Sequence, residues 1–496
     1  MNQHFPVWVI VTHFLNIVFL SLMARSGIEV LSAFPKLYWI DSCYPGREWL
    51  RLSKKVYSAE SREPWSSSEE EESWSPVVAL PGRKNLGLGR HWHLLTVPFW
   101  ILTGLVYVVL LFTSGYWRNL VPTEWQVFPQ AIRDVGTYLN FHYPPLQPGK
   151  PFNAAQQLAY FAVVFVLAPL QIATGAAMSP AVIGRFPWYS RLFGGRQAAR
   201  SLHFLGLCCF GAFVLLHTAM VVVHGLPHEL AGMVLGSTEA NKTVALVIGL
   251  GGIAAVVALN VGLSWFSLRH RRTTQRLLGA VVNPLEHRLT AATPSRQAYP
   301  SSAISAFHRA NGLPPSDPVY RTMLENGFTN YRLTVHGLAD KATSFSLAEL
   351  RELGWRTQTC LHNCIQGWSA IAEWGGVPLS AVLDRVGVAD DAHYVALWGW
   401  DDKPLIGDDG SRCAYYGTIP LMLARRPQTI LALEMNGQPL PPEHGAPLRL
   451  RVESQLGFKM VKWIRSIELV SDYRGLGEGQ GGWREDHQHY TTWAAI

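Results

Sequence analysis

The sequence has few charged residues and few cysteines for its length. Charged side chains make up 16% of the 496 residues, against roughly 25% in ordinary soluble domains, which argues against a wholly soluble chain. Its six cysteines are too few and too scattered along the chain for a disulfide scaffold. No basic stripe alternates with aromatic residues, so the net charge of +7 does not indicate nucleic-acid binding. No basic segment precedes the first apolar run, and no cleavable signal peptide is expected.

Long apolar runs dominate the first half of the chain. Hydrophobic residues make up 48% of the sequence and 19 residues are tryptophan, an aromatic content typical of membrane interfaces. A membrane-spanning helix needs about 20 apolar residues. Five runs approach that length, at about 6–24, 95–114, 156–177, 202–223 and 243–266. The acidic stretch "SSSEEEES", residues 66–73, lies in the first polar loop and is predicted to be solvated or disordered.

The character of the chain changes after residue 266. A basic stretch, "LRHRRTTQR", is followed by a Pro/Ser-rich linker to about residue 304. Beyond it, "YRLTVHGL" and "HYVALWGW" are predicted strands and "SLAELRELG" a short helix. We therefore predict an all-α membrane helix bundle followed by a soluble α+β, mostly β, domain. The predicted boundaries are 1–225 for the membrane domain with a polar loop at 25–90, 226–304 for a fifth transmembrane helix and linker, and 305–496 for the soluble domain.

Two histidines on the fourth apolar run predict metal binding inside the membrane. His203 and His217 are 14 residues apart, which on an α-helix is about 40° short of four full turns and about 21 Å of rise. Both therefore face nearly the same side, as two stacked haems with axial histidines require. Successive apolar runs cross the membrane in opposite directions. This places His93 at the same depth as His203, and His13 at the same depth as His217.

Other interpretations of these histidines were weighed. Any single one of them could instead hydrogen-bond a neighbouring helix, although a polar group in the membrane is a functional candidate by default. Four histidines that pair by depth favour haem ligation. His91, His224 and His228 are alternative ligands and rank lower, because they lie closer to water.

Several motifs in the first half resemble a known family. "VTHFLN", "GRHWHLLTVPFWILTGLVYVVLLFTSGYW", "LQIATGAAMSP" and "GGRQAARSLHFLGLCCFGAFVLLH" look like the bacterial cytochrome b561 and nickel-hydrogenase cytochrome b family, over about residues 6–225. The resemblance implies a four-helix bundle with two b haems that exchanges electrons with membrane quinone. The family's axial histidines match His13, His93, His203 and His217.

The stretch "TCLHNCIQGWSAI", residues 359–371, contains two cysteines of the second half. Cys360 and Cys364 are four residues apart and no second pair follows, so a four-ligand zinc site is poorly supported. A lone thiolate can instead give one sulfur to a metal whose other ligands come from a cofactor. Cys360 is interpreted as a packing residue.

The flanking sequence resembles a second family. "CIQGWSAIAEWGGVPL", "MNGQPLPPEHGAPLRL" and "GFKMVKWI" are similar to the sulfite oxidase-fold molybdopterin domain over about residues 305–475. The similarity is greater to the molybdopterin subunit of protein-methionine-sulfoxide reductase. The resemblance implies a molybdenum–molybdopterin cofactor, with Cys364 as the ligand of the metal.

The same resemblance implies further site residues. The cofactor carries a phosphate, which arginine binds bidentately and lysine as a point charge. The implied cofactor-binding residues are Arg309, Asn311, His444, Arg449, Lys459 and Lys462, and Tyr416 is implied near the metal as a catalytic residue. Close to Cys364 the sequence has His362 and Gln366 in place of the arginines typical of sulfite oxidases, which disfavours sulfite as the substrate.

Together the two halves predict a membrane-bound molybdoenzyme. Electrons would pass between quinone, two b haems and molybdenum for two-electron oxo transfer, by analogy the reduction of an S-oxide or N-oxide. The alternative functions are a haem-only membrane reductase, or an electron-transfer or assembly protein with a docking module that holds no active molybdenum. Expected partners are membrane lipid, quinone or quinol, and a small-molecule or protein-sulfoxide substrate, with a homo-oligomer as a further expectation.

Charge distribution predicts the orientation in a bacterial inner membrane. The side that carries the soluble domain has 19 Lys and Arg in residues 25–92, 178–200 and 266–290, and the other side has 4 in 115–150 and 223–243. The positive-inside rule therefore favours a cytoplasmic soluble domain. The resemblance implies the opposite, a cytoplasmic N-terminus and a periplasmic reductase domain.

Overall fold

The computed structural model describes residues 4–57, 65–140, 142–292, 294–404 and 412–496. The chain divides into two compact units. We call them the membrane unit, residues Met1–Ser26, Trp92–Gly175 and Leu202–Phe266, and the sheet unit, residues Gly27–His91, Ala176–Ser201 and Ser267–Ile496.

Among the described residues, five helices are long and apolar enough to cross a membrane. They are Val7–Ser32, Leu86–Thr113, Ala154–Ala177, Arg196–Val223 and Lys242–Arg269. The five predicted spans are confirmed, and the chain is a multi-pass membrane protein. The second and fourth helices begin several residues before their apolar runs, because the helical backbone continues through the polar residues that precede them. The third contains one π-helical turn, Val163–Leu167.

Shorter helices connect these spans and cover the sheets. In the membrane unit they are Trp117–Leu120, Val127–Leu139 and Leu226–Leu235. In the sheet unit they are Pro180–Arg185, Pro187–Arg191, Arg271–Ala292, Pro318–Glu325, Leu347–Glu352, Leu379–Val386, Leu421–Ala424 and Trp483–His487. The helix predicted at "SLAELRELG" is confirmed as Leu347–Glu352, whose start carries a capping box between Ser346 and Glu349.

The sheet unit contains twelve described strands. In chain order they are β1 Lys36–Leu37, β2 Leu50–Arg51, β3 Leu333–Gly337, β4 Thr343–Phe345, β5 Arg356–Asn363, β6 Ser369–Pro378, β7 Tyr394–Pro404, β8 Arg412–Pro420, β9 Thr429–Met435, β10 Gln438–Pro439, β11 Arg449–Val452 and β12 Ile464–Val470. One five-stranded sheet has the order β10-β9-β6-β5 with β11 also paired to β9, and a second has the order β4-β3-β12-β7-β8. The α+β, mostly β, prediction is confirmed.

The two larger sheets share one hydrophobic core. Strand β3 alternates, with Leu333 and Val335 fully buried and Thr334 exposed, as expected for a strand with one covered face. The other sheet contributes Trp374 from β6 and Leu431 from β9, and both are fully buried in the same cluster. Cys364, in the turn between β5 and β6, lies in a second buried cluster with Trp368, Phe34 and Phe458.

The acidic stretch at residues 66–73 is folded, and three of its residues, Ser66, Ser67 and Glu70, are buried, so their predicted solvation is wrong. Residues Ser67–Glu70 form a 3₁₀ turn with a capping box between Ser66 and Glu69. Ser67 is 0% and Glu70 1% exposed. The Glu70 carboxylate pairs with Lys36 and with Arg309, both buried. A buried carboxylate is tolerated when cations neutralise it, and composition alone did not reveal these two partners.

Candidate functional site

The four predicted haem ligands form two pairs in the membrane unit. The ring centres of His13 and His217 are 6.2 Å apart, and those of His93 and His203 are 6.4 Å apart. A metal–imidazole bond of about 2 Å on each side, plus about 1.1 Å from nitrogen to ring centre, separates two axial imidazoles by about 6 Å. Both separations therefore fit an iron between the rings, in the predicted pairing.

Hydroxyl groups orient the His93 and His203 rings. The Ser26 hydroxyl donates to the carbonyl of Met23, and Thr174 donates to the carbonyl of Leu170. Each hydroxyl has only one hydrogen, so each must accept from the histidine beside it. The Nδ1 atoms of His93 and His203 lie 3.2 Å and 3.0 Å from these oxygens. For His203 this places the proton on Nδ1 and leaves Nε2 available for a metal.

The lower-ranked histidines have other partners. His91 Nδ1 lies 2.9 Å from the Gly87 carbonyl oxygen. His224 contacts the ring of Tyr143 at 3.9 Å between ring centres. Its Nδ1 is 3.9 Å from a carboxylate oxygen of Glu229. These contacts give neither histidine a second imidazole at haem-ligand spacing.

A cavity of about 670 Å³, including its open mouth, lies in the sheet unit. It contains Cys364 together with five of the predicted cofactor-binding residues, and it brings together segments that are distant in the sequence. Its lining residues include His308, Arg309, Asn311, His362, Cys364, Trp368, Asp401, Tyr415, Glu443, His444, Arg449, Phe458, Lys462 and Arg484.

Cys364 lies in the tight turn between β5 and β6. Its backbone N–H donates to Trp368, and the Gly367 N–H donates back to Cys364. Gly367 has φ +120°, a conformation that L side chains rarely adopt. Burial raises the pKa of the Cys364 thiol to about 11. Binding of a metal would remove that proton, because a coordinated thiol is deprotonated.

Two buried polar atoms in the cavity wall have no hydrogen-bond partner. They are Nε of Arg449 and Nε2 of His308. The Arg449 side chain donates to the His444 carbonyl and stacks over Trp374. Buried polar atoms are normally satisfied, so these two call for a polar ligand. An anionic, heteroatom-rich group such as molybdopterin fits this wall.

Burial keeps the cavity histidines neutral. It is the largest cause that lowers the pKa of His308 to about 3, and the cations Arg449, Arg451 and Lys462 lower it further. His308 Nδ1 lies 3.0 Å from the Arg309 carbonyl oxygen, which can only accept. His308 Nε2 is therefore a bare acceptor, suited to an N–H or O–H donor on a ligand.

Three of the predicted residues have strong partners within the protein. Arg309 lines the cavity, but its guanidinium pairs with Glu70 and donates to the Cys43 carbonyl. Lys459 forms a buried ion pair with Glu485. Lys459 is absent from the cavity lining among the described residues, and its predicted role stays a prediction.

Tyr416 is likewise absent from the described cavity lining. Its hydroxyl donates to Asp486 at 2.5 Å, and its ring stacks on Trp398. The neighbouring Tyr415 lines the cavity instead. Alternating strand residues face opposite sides of β8, so a motif match alone could not decide between the two tyrosines.

His308 and Arg484 line the cavity and were not predicted from the sequence. Arg309 and Arg449 were predicted as cofactor-binding residues, and Arg484 is a third arginine in the cavity that contains Cys364. His308 directly precedes the predicted Arg309, so the "FHRANG" segment was a usable signal. Arg484 comes from the Trp483–His487 helix, and no motif marked it.

Comparisons with known proteins identify both halves. The prokaryotic cytochrome b561 family model matches residues 4–236, and the oxidoreductase molybdopterin binding domain model matches residues 321–475. These matches associate the chain with haem b and with molybdopterin-bound molybdenum.

Curated relatives agree with this division. A provisionally named protein-methionine-sulfoxide reductase subunit, YedZ1, of Azospira oryzae is 35% identical over 37% of this chain and 64% of its own length. The protein-methionine-sulfoxide reductase catalytic subunit MsrP of Xanthomonas campestris pv. campestris is 31% identical over 36% of this chain and 61% of its own. Mitochondrial sulfite oxidase of Mus musculus is 35% identical over 25% of this chain and 21% of its own.

The chain spans less than two thirds of the length of each of these relatives. The two family models nevertheless match separate parts of it, one over the first four membrane helices and one over the two larger sheets. The chain is therefore a multi-pass membrane protein with one region similar to prokaryotic cytochrome b561 and a second region similar to oxidoreductase molybdopterin-binding domains.

Proposed function

We propose that this protein uses electrons from membrane quinol to reduce an S-oxide or N-oxide substrate, through two b haems and a molybdenum site. The observation that carries the proposal is the cavity in which Cys364 lies beside the unsatisfied Arg449 and His308. The names of the two methionine-sulfoxide reductase relatives favour an S-oxide.

Each group of residues has a defined task in this proposal. His13 with His217, and His93 with His203, would each hold one haem, at the ring separations described above. Cys364 would give its sulfur to the metal, and molybdopterin-bound molybdenum supplies two-electron oxo transfer when bound. The surrounding wall would bind the cofactor through its cations and neutral histidines.

Haems and molybdenum change oxidation state by different numbers of electrons. A haem carries one electron at a time, whereas reduction of an S-oxide needs two. A quinol releases two electrons, so two haems in the membrane unit would together carry the electrons of one quinol to one reduction of the substrate. Cys364 is only 3% exposed, which limits the access of bulk water to its thiol.

The experiment is to measure iron and molybdenum per chain in detergent-purified protein from a host that makes the cofactor. We expect two irons as haem b and one molybdenum. Cys364→Ser should lose the molybdenum and keep both irons. Cys360→Ser is the matched control, because this nearby buried cysteine lies outside the described cavity lining and should keep all three metals.

Two other results would contradict the proposal. Two irons without molybdenum in the native chain would support the haem-only reductase or assembly protein. Electron transfer to a substrate that survives Cys364→Ser would show that the haems act alone.

A further inference from the structure

Arg484 is a cation in the cavity wall whose described hydrogen-bond partners are neutral. Its guanidinium donates to the amide oxygen of Gln488 at 2.6 Å and to that of Asn311 at 3.3 Å, and it hydrogen-bonds the hydroxyl of Tyr415. The Glu71 carboxylate acts on it through space but accepts its hydrogen bond from Gln366. A partly buried cation without a hydrogen-bonded counter-charge favours an oxygen-bearing ligand.

Arg484 and Cys364 line the same cavity. Arg449 and His308, the unsatisfied groups of the wall, come from other segments. The cavity therefore offers a polar wall for the cofactor and a separate cation beside the predicted metal ligand.

The short Trp483–His487 helix is anchored by the two residues that follow this arginine. The next residue, Glu485, forms a buried ion pair with Lys459, and its carbonyl accepts from Gln275 at 2.8 Å. Asp486 accepts from the Tyr416 hydroxyl at 2.5 Å, and from two backbone N–H groups at 3.0 Å each. These contacts hold the Arg484 backbone in place before any ligand arrives, which lowers the cost of binding.

We propose that Arg484 binds the oxygen atom of the substrate and selects for neutral S-oxides and N-oxides. This inference rests on the proposed function. The oxygen of such a group carries partial negative charge, and a guanidinium donates charge-assisted hydrogen bonds to it. Lys459 and Tyr416 then act at a distance, as positioning residues that fix the arginine through Glu485 and Asp486. The molybdopterin-domain match ends at residue 475, so this contact is supplied from outside the matched region.

The test uses the full chain loaded with haem and molybdenum. Arg484→Gln removes the positive charge. Arg484→Lys keeps the charge but lacks the planar guanidinium group with its several N–H donors. Arg474→Gln is the matched control, since Arg474 lies in the same C-terminal segment with 77% of its side chain exposed. Molybdenum per chain is measured first. Kinetics with methionine sulfoxide and a reduced viologen follow, and calorimetry then measures affinity for methionine sulfone.

For Arg484→Gln we expect unchanged molybdenum and a KM for the sulfoxide that rises roughly ten- to hundredfold, as loss of a charged hydrogen bond predicts. Affinity for the sulfone should fall by a similar factor, and Arg484→Lys should restore part of both. Loss of molybdenum in Arg484→Gln would overturn the proposal, because the arginine would then hold the cofactor. Unchanged KM and sulfone affinity would overturn it as well.

The result also separates this inference from the proposed function. If the native chain binds the sulfone through Arg484 but reduces no S-oxide, the proposed function fails and the oxygen-binding role stands. If the native chain reduces S-oxides and Arg484→Gln leaves KM unchanged, the proposed function stands and this inference fails. If Arg484→Gln does not fold, the comparison of Arg484→Lys with the native chain decides.

Discussion

At the scale of single residues, one hydroxyl decides which nitrogen of His203 is available. Thr174 donates to a helix carbonyl and accepts from His203 Nδ1, so Nε2 is free for iron. Thr174→Val keeps the shape and removes the acceptor. We expect haem affinity at this site to fall roughly ten- to hundredfold, as loss of an outer-shell partner typically does. A haem titration of the purified apoprotein, followed by absorbance, measures the change.

Thr103→Val is the control for that substitution. Thr103 lies on another membrane helix, and its hydroxyl donates to the Phe99 carbonyl four residues before it. It should leave haem binding unchanged, since it contacts no predicted ligand. Equal haem affinity in both variants would mean that Thr174 does not orient His203.

Residues of the candidate sites differed in how well the sequence predicted them. The four histidines could be paired because helical rise and membrane threading are regular. Arg449 and His444 were predicted because a local motif carries them. Arg484 could not be predicted, since its place in the cavity depends on long-range contacts of Glu485 and Asp486. Contacts between residues distant in the sequence produce no local sequence pattern from which they could be predicted.

At the scale of elements, the Ser67–Glu70 turn is held by buried charges. Glu70 neutralises Lys36 and Arg309, and all three side chains are at most 3% exposed. Glu70→Gln would leave two buried cations without a counter-charge. We expect the turn to be destabilised by about 3–5 kcal/mol. Hydrogen exchange of the amides in residues 65–73, measured by mass spectrometry, should become much faster.

Glu69→Gln tests whether this effect belongs to the buried charge. Glu69 is the neighbouring carboxylate and closes the capping box with Ser66. A glutamine closes the same box, so exchange should stay close to that of the native chain. Equal acceleration in the two variants would assign the effect to the cap and not to the ion pairs.

Elements were predicted best where one physical rule dominates. Length and apolarity identified all five spans, and alternation identified β3 and β7. The ends of the spans were less certain, because a helix continues through polar residues once its hydrogen-bond ladder has formed. The acidic turn was missed because its stability comes from Lys36 and Arg309, which are distant in the sequence.

At the scale of the whole molecule, the polar loops divide between the two units in the way that the predicted threading expects. Residues 27–91 and 176–201, which threading places on the side of the soluble domain, belong to the sheet unit. The loops at 115–150 and 223–243, on the other side, belong to the membrane unit. This division is expected for five crossings, since loops on one side can pack with a domain on that side.

The charge asymmetry then predicts which side is cytoplasmic. The sheet-unit side carries 19 Lys and Arg against 4 on the other side, so we expect the sheet unit in the cytoplasm. Single added cysteines report this with a membrane-impermeant maleimide on intact cells. Glu124→Cys, in an exposed loop of the membrane unit, should label from outside. Glu352→Cys, exposed in the sheet unit, should label only after the membrane is opened.

Both substitutions remove a glutamate, which contributes little to orientation, so the variants should insert as the native chain does. The native chain sets the background, because its described cysteines are either buried or lie on the fourth membrane helix. Labelling of Glu352→Cys in intact cells, with Glu124→Cys protected, would show that the orientation is the opposite of the predicted one. The periplasmic placement implied by the family resemblance would then hold, and folding of the sheet unit after export would outweigh the charge rule.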